Sequence, residues 1–235
     1  MTPQPRALLL AAGRGERMRP LSDACPKPLL AVRGRPLIEW HLIALAAAGV
    51  REVVVNTAWL EEQIVAALGD GARFGLRIRY STEGRDHGGA LETAGGIAKA
   101  LPLLVEAPGD VFWVISADIH APGFAFDAVH AARFAASDDV AHLWLVPNPP
   151  FHPDGDFALD ARGRLRREPV DERRWTYANI ALCRAALVEG VAPGTRAALG
   201  PLLFGAAAAD RLSGEALCGE WHNIGTPAQL AALGG

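Results

Sequence analysis

Arg14, Arg17, Arg19 and Lys27 put four cations into the short stretch from Leu8 to Pro28, in a 235-residue chain whose net charge is −3. Positive charge gathered in one place on a mildly acidic protein points to a small anion. A guanidinium grips phosphate through a forked pair of hydrogen bonds, and an ammonium acts as a compact point charge. The stretch opens with the apolar run Leu8 to Ala12 and turns at Gly13 and Gly15, the pattern of a buried strand ending in a tight loop. Glycine lets backbone N–H groups approach whatever lies above the loop, and amides fanned around such a turn make a concavity suited to phosphate. Two familiar phosphate loops do not fit. The P-loop G-x-x-x-x-G-K-[ST] is missing after Gly13, and Met18 stands where the dinucleotide fingerprint needs its third glycine.

Other residues of suggestive type follow. Val114-Ile115-Ser116-Ala117-Asp118 is an apolar run ending in a carboxylate, which could meet a ligand at the strand end or simply cap a turn. His120 reads as a loop or pocket-edge residue. Glu83-Gly84 and the run Gly88 to Ile97 form a glycine-rich segment that could face a ligand or merely start a helix. His41 falls on an apolar helix face and reads as a packed core histidine. Arg162 to Arg174 reads most simply as a solvated hairpin face.

The elements that must hold these residues alternate. Pro36 opens a helix with Leu37, Ile38, His41, Leu42, Leu45 and Ala48 on one face, stopping at Gly49. Val53–Val55 reads as a strand, Leu60–Leu68 as a helix, Leu76–Tyr80 as a strand, Val111–Ala117 as a buried strand and Phe124–Ala135 as a helix. After His142 the pair Pro149-Pro150, Gly155 and the turn Asp160 to Gly163 predict a hairpin-and-loop insertion beside the main sheet. Thr176–Cys183 returns to strand and Pro227–Leu233 to helix. The fold class is therefore α/β: a Rossmann-like, mostly parallel sheet with helices on both faces and a small β-hairpin insertion, in one domain over residues 1–235. Ligands of such sheets bind over strand C-termini, here after Leu10, Tyr80, Ala117 and Leu182.

Half of the residues are hydrophobic and 21% charged, an ordinary globular composition. No apolar stretch is long enough to span a membrane and no secretory segment is expected. Cys25, Cys183 and Cys218 are odd in number and lack metal spacing, which fits reduced thiols in a cytoplasm. The six tryptophans are scattered and no basic stripe accompanies them, so nucleic acid is not an expected partner.

From Leu10 to Pro28 the sequence reads L-A-A-G-x-G-x-R-M-x-P-L-S-x-x-x-P-K-P. This resembles the opening of the sugar-phosphate nucleotidyltransferases, which join a sugar 1-phosphate to a nucleoside triphosphate and release pyrophosphate. The resemblance implies a nucleotide held by Leu10, Ala11, Ala12, Gly13, Gly15 and Lys27. It also makes Arg17, Lys27 and Asp118 the catalytic set. Leu91-Glu92-Thr93-Ala94-Gly95-Gly96-Ile97 resembles the family's base-recognition loop and implies base contacts from Glu83, Thr93 and Gly95, with Arg85 to Gly88 as extra residues. Trp221-His222-Asn223-Ile224-Gly225-Thr226-Pro227 resembles W-x-D-I-G-T-P, so Asn223 replaces an Asp as the second ligand, beside Asp118, of the implied Mg²⁺.

On the acceptor side, Asn148 to Phe157 and Tyr177 to Ile180 resemble segments of the members acting on N-acetylmuramate 1-phosphate. They imply sugar-phosphate contacts from Asn148, Gly155 and Asn179, with UTP as donor, in peptidoglycan sugar recycling. The E-K-P of relatives acting on glucose 1-phosphate is replaced by Arg167-Glu168-Pro169, so its phosphate-binding lysine has no counterpart. Guanylyl transfer to mannose 1-phosphate, and uridylyl or thymidylyl transfer to glucose 1-phosphate, stay open, as does a regulatory subunit that binds nucleotide sugar without turnover. No hexapeptide-repeat extension is expected after the nucleotidyltransferase module.

Overall fold

The computed structural model describes residues 4–107, 109–167 and 173–234. In chain order the elements are β1 (Ala7–Leu10), α1 (Leu21–Ala24), β2 (Ala31–Val32), β3 (Arg35–Pro36), α2 (Leu37–Ala47), β4 (Glu52–Thr57), α3 (Glu61–Leu68), β5 (Arg77–Thr82), α4 (Glu83–His87), α5 (Glu92–Leu104), β6 (Val111–Ser116), β7 (Ile119–His120), α6 (Ala128–Ala135), β8 (Ala141–Val146), β9 (Phe157–Leu159), β10 (Leu165–Arg166), β11 (Arg174–Arg184), α7 (Gly200–Ala208), β12 (Leu212–Ala216), β13 (His222–Asn223) and α8 (Pro227–Ala231).

β6, β1, β4 and β5 pair in parallel, in that order. Alternation along β1 sorts its side chains between two cores. Ala7 and Leu9 pack with Ile38, Leu42, Ile64 and Phe134 from α2, α3 and α6, whereas Leu8 packs with Ile97 of α5 and Leu203 of α7. Helices thus cover both faces, and the exits of β1, β4, β5 and β6 open on one edge. Leu10 lies level with Asn56 and Ser116, and Thr57 with Thr82.

β11 runs antiparallel to β6, with Ile180 opposite Ile115 and Arg184 opposite Val111. Its N-terminal half, not its C-terminal end, therefore reaches the functional edge. Leu182 sits opposite Trp113 and is fully buried, which corrects its expected place at a ligand-facing strand end. β8 continues from β11 and β12 from β8. The expected hairpin, β9 and β10, does not stand beside the sheet but extends it through β11. Its turn is closed by the Asp160 carboxylate, which accepts N–H bonds from Arg162 at 2.8 Å and Arg164 at 2.9 Å.

Several elements differ from their sequence expectation. α6 starts at Ala128 because Asp127 caps it, its carboxylate accepting the Val129 N–H; Phe124 and Phe126 instead pack edge-on against Trp113. β8 runs past His142 to Val146 and is buried throughout, so polar–apolar alternation could not mark it. α7 and β12 were not expected. α7 is Gly- and Ala-rich with no polar face, and Leu-Ser-Gly-Glu-Ala of β12 lacks the β-branched residues that signal a strand.

Candidate functional site

Beyond Leu10 the chain turns through Gly13 and Gly15, the latter at φ +65°, in the left-handed region. A Cβ at Gly15 would come within 3.3 Å of the Lys27 side chain, so glycine meets both the backbone and the packing demand. Ser22, buried, donates to the Gly15 carbonyl at 2.7 Å and fixes the far side of the loop. Among the described residues, the amides of Ala12, Gly13, Arg14 and Gly15 donate to no other group of the chain. Four consecutive unspent donors at a strand end form an anion cradle. The Ala11 N–H differs from them, because it donates to Asn56 Oδ1 at 2.6 Å, and the Leu10 carbonyl accepts from Ala117. Of the loop residues expected to meet nucleotide, Leu10 and Ala11 therefore contribute wall, and Ala12, Gly13 and Gly15 contribute donors.

Arg17, Lys27 and Asp118 share with this loop a hollow of about 490 Å³, closed on one side by Gly225. The Arg17 guanidinium lies over Gly225, 3.4 Å from where a Cβ would stand. Lys27 is only 8% exposed, and its Nζ meets Asp118 Oδ2 at 2.6 Å. The structure thus joins Arg17 and Lys27 of one stretch to Asp118, 91 residues beyond Lys27, with a lysine and a carboxylate that neutralise each other.

β13 pairs with β7, placing Asn223 opposite Ile119, and the Ile224 N–H donates to the Asp118 carbonyl at 2.9 Å. Asn223 is half-buried, faces an adjoining hollow with Trp221 and Gln229, and its side chain forms no hydrogen bond among the described residues. Among those residues no three His, Cys, Asp or Glu side chains converge on a metal position. Asp118, in the turn between β6 and β7, lines the first hollow and Asn223 of β13 the second; a carboxylate and an uncommitted amide oxygen are each the hard donor type that an oxygen-seeking divalent ion takes. His120 is not a pocket-edge residue: it is fully buried in β7, edge-on to Trp40 at 5.1 Å. His41 is packed as expected, with Nε2 2.9 Å from the Ile119 carbonyl, and burial lowers its pKa to about 4.

The base-recognition segment is rearranged. Arg85 to His87 belong to the short helix α4, and Thr93 and Gly95 lie in the first turn of α5. Thr93 is half-buried with no side-chain hydrogen bond among the described residues. The Ala94 and Gly95 N–H groups are both taken by the Ala197 carbonyl, and a Cβ on Gly95 would strike the Thr195 carbonyl at 2.2 Å. Gly95 thus serves close packing of α5 against the loop before α7, which corrects its expected base contact. Glu83 is corrected too: its carboxylate is fully buried and turned inward, accepting from Asn56 and from the Leu91 N–H. Open space remains beside this segment, a hollow of about 560 Å³ between Ala12, Trp59 and Gly88 to Ala90. Arg14 stacks on Trp59 at its rim, 4.4 Å from the ring centroid.

On the acceptor side the polar groups are largely spent on the fold. Asn148 donates to the Pro153 carbonyl at 2.9 Å and accepts from Thr176 at 3.0 Å. Gly155, at φ +61°, lies so close that a Cβ would meet Asn148 at 2.6 Å. These two brace the loop before β9 and offer little to a ligand, against their expected role as sugar-phosphate contacts. Asn179 is the exception. It holds φ +60° at the irregularity where β11 shifts register against β8, and its side chain is free of internal hydrogen bonds among the described residues. Of the hairpin arginines, Arg164 pairs with Asp139 at 2.8 Å and Arg166 with Asp210 at 3.2 Å, away from the functional edge. Glu168 and Pro169 of the R-E-P segment lie outside the described residues.

Sequence reasoning missed Asn56 and Gly96. The signal was there: a lone amide closing Val53-Val54-Val55, and a second glycine inside a helix, each of which asks for a specific neighbour.

Four unspent amides, two cations and a carboxylate gather at the exit of a parallel sheet, an arrangement suited to a phosphate-bearing ligand. Residues 6–151 match the family model described as nucleotidyl transferase. The chain is 45% identical to the N-acetylmuramate alpha-1-phosphate uridylyltransferase of Neisseria meningitidis serogroup B, over 96% of this chain and 95% of that protein. It is 38% identical to the protein of the same name from Caulobacter vibrioides, over 96% and 94%. A Bacillus anthracis crystal structure assigned as a glucose-1-phosphate thymidylyltransferase superposes with a TM-score of 0.79 over 97% of this chain and 93% of that one, at 18% identity, a likeness of fold. The chain belongs to the nucleotidyl transferase family, and it is a nucleotidyltransferase enzyme. Family members act on nucleoside triphosphates and sugar 1-phosphates and generally use a divalent metal. Among the described residues no helix is long and apolar enough to cross a membrane.

Proposed function

We propose that the chain transfers the uridylyl group of UTP to N-acetylmuramate 1-phosphate and releases pyrophosphate. The observation that carries nucleotidyl transfer is the run of four unspent amides, Ala12 to Gly15, set between two hollows: Gly13 and Gly15 line the one that holds Arg17, Lys27 and Asp118, and Ala12 and Arg14 the one beside Trp59. Uridine and N-acetylmuramate rest on the two relatives matched along nearly their whole length. The acceptor's phosphate oxygen attacks the α-phosphorus of UTP as the bond to the bridging oxygen of pyrophosphate breaks. The nucleophile is already anionic, so no strong general base is needed and catalysis reduces to positioning and charge neutralisation.

The Ala12–Gly15 amides hold the phosphates, Arg17 pairs with the departing pyrophosphate, and Lys27 leaves Asp118 to meet the α-phosphate. Asp118 and Asn223 would hold Mg²⁺, which when bound supplies charge neutralisation on phosphate oxygens. Asn223 contributes less charge than a carboxylate, so retention of the ion leans on Asp118 and the triphosphate. Asn179 faces the acceptor. We read residues 1–235 as one such domain, acting in the cytoplasm in peptidoglycan sugar recycling; the three cysteines, all free thiols, are in keeping with that compartment.

Pyrophosphate release, measured with Mg²⁺ across UTP, GTP, dTTP, CTP and ATP against N-acetylmuramate, N-acetylglucosamine, glucose and mannose 1-phosphates, tests the reading. Turnover concentrated on UTP with N-acetylmuramate 1-phosphate is expected. Preference for another pair would overturn the substrate assignment, and nucleotide-sugar binding without any pyrophosphate release would make the chain a regulatory subunit.

A further inference from the structure

A chain of three buried hydrogen bonds runs beneath the nucleotide loops. The Ala11 N–H at the exit of β1 donates to Asn56 Oδ1 at 2.6 Å. Asn56 Nδ2, at the end of β4, donates to Glu83 Oε1 at 2.7 Å. Glu83 Oε2, at the exit of β5, accepts the Leu91 N–H at 2.7 Å, just before α5. Asn56 is 3% exposed and Glu83 not at all. α5 lies directly against the pair, since a Cβ on Gly96 would stand 2.7 Å from Glu83 Oε1 and 2.8 Å from Asn56 Nδ2. Glu83 makes no direct ion pair among the described residues. Burial pushes its carboxyl up, while the bonds from Leu91 and Asn56 pull it back. A buried carboxylate held only by an amide and a backbone N–H is an expensive way to fill space.

We infer that Asn56 and Glu83 are positioning residues for the nucleotide, setting the gap between the phosphate loop after β1 and the segment before α5. This rests on the nucleotidyl-transfer reading. The donor–acceptor pattern allows one arrangement: Asn56 must present oxygen to Ala11 and so its NH₂ to residue 83, which must then accept at both oxygens. A glutamine at 83 turns an NH₂ toward either Asn56 or Leu91, placing donor against donor. The double change N56D with E83Q restores every bond at the same net charge: the new carboxylate accepts from Ala11 and from the new amide, whose oxygen accepts from Leu91.

The test is UTP binding by calorimetry and steady-state kinetics on wild type, E83Q and N56D/E83Q. One unsatisfied buried donor predicts about tenfold weaker UTP binding and higher KM for UTP in E83Q. The sugar 1-phosphate KM should stay within about twofold, and the double variant should return close to wild type. Unchanged UTP affinity in E83Q, or both KM values rising in step with lost thermal stability, would overturn the inference. If E83Q does not fold, the double variant decides alone: folded with near-wild-type UTP affinity supports the relay, and folded with weakened affinity contradicts it. Wild type that binds no nucleoside triphosphate would instead defeat the functional reading.

Discussion

The two halves of the site spend their polar groups in opposite ways. On the donor side the fold uses what lies beneath, Asn56, Glu83 and Ser22, and leaves the Ala12–Gly15 amides and Arg17 open. On the acceptor side the residues expected to touch ligand are consumed: Asn148 is tied to Pro153 and Thr176, and Gly155 makes room for Asn148. Asp156 accepts the Tyr177 N–H at 2.8 Å and lies 3.1 Å from His152. The donor half is a cradle on a braced floor, and the acceptor half is a braced wall from which Asn179 alone, of the three expected contacts, projects an uncommitted side chain. Residue type and spacing identify a motif in both, but only the hydrogen-bond ledger separates a group that binds from one that builds.

The contrast breaks most sharply at Arg17 and Lys27. Alanine at either should lower turnover of the folded protein by about 10²–10³, because each acts where charge develops, with the thermal midpoint nearly unchanged for Arg17 and lowered for Lys27, whose buried pair with Asp118 is lost. A steady-state assay beside a melting curve checks this, and near-normal turnover would remove either residue from the mechanism. Asp118→Asn should raise the Mg²⁺ requirement strongly, whereas Asn223→Asp should lower the Mg²⁺ concentration for half-maximal rate by about tenfold, since a second carboxylate adds charge to the site. Asn223→Asp without effect on a metal titration would take residue 223 out of the metal's shell.

On the acceptor side the effects should be smaller, falling on stability at Gly155 and on acceptor binding at Asn179. Gly155→Ala combines a left-handed backbone with a contact to Asn148 and should destabilise by about 1–3 kcal/mol, read from denaturant unfolding, with turnover of the folded fraction retained. Asn179→Gly relaxes the backbone, so it should leave stability equal or higher while raising the acceptor KM and not the UTP KM. Equal stability losses on both sides would erase the contrast between the two halves.

A last and smaller effect comes from the core beneath both halves. His41 has an ordinary pKa of 6.5 and a folded value of about 4, so between those values the unfolded chain binds a proton that the folded chain does not. Stability from this group is present above pH 6.5 and is lost as pH falls toward 4. Thermal melts across that window should show a shallower loss in His41→Gln than in wild type; identical slopes would contradict the burial effect.

Much of this was legible before the structure. The strand–glycine–cation stretch locates the phosphate loop because each residue type there answers a local demand: apolar residues for a buried strand, glycine for φ +65° at Gly15, and guanidinium or ammonium for phosphate. The direction of β11 was not legible, since a buried run reads the same both ways, and this misplaced Leu182. Nor was the inward turn of Glu83, because a carboxylate after a strand looks like a ligand contact until its partner Asn56, 27 residues away, is brought against it. β8, α7 and β12 escaped for a related reason. Elements buried all round, or built of Ala, Gly and Ser, carry no amphipathic signature.

The most direct measurement follows the phosphorus. UTP labelled at the α-phosphate is incubated with N-acetylmuramate 1-phosphate and Mg²⁺, using wild type and a folded Lys27→Ala variant. The label should appear in a nucleotide sugar with one pyrophosphate released per transfer, and the variant should form product about 10²-fold or more slowly. Label left in UTP, or found in free UMP without nucleotide sugar, would contradict uridylyl transfer at this site.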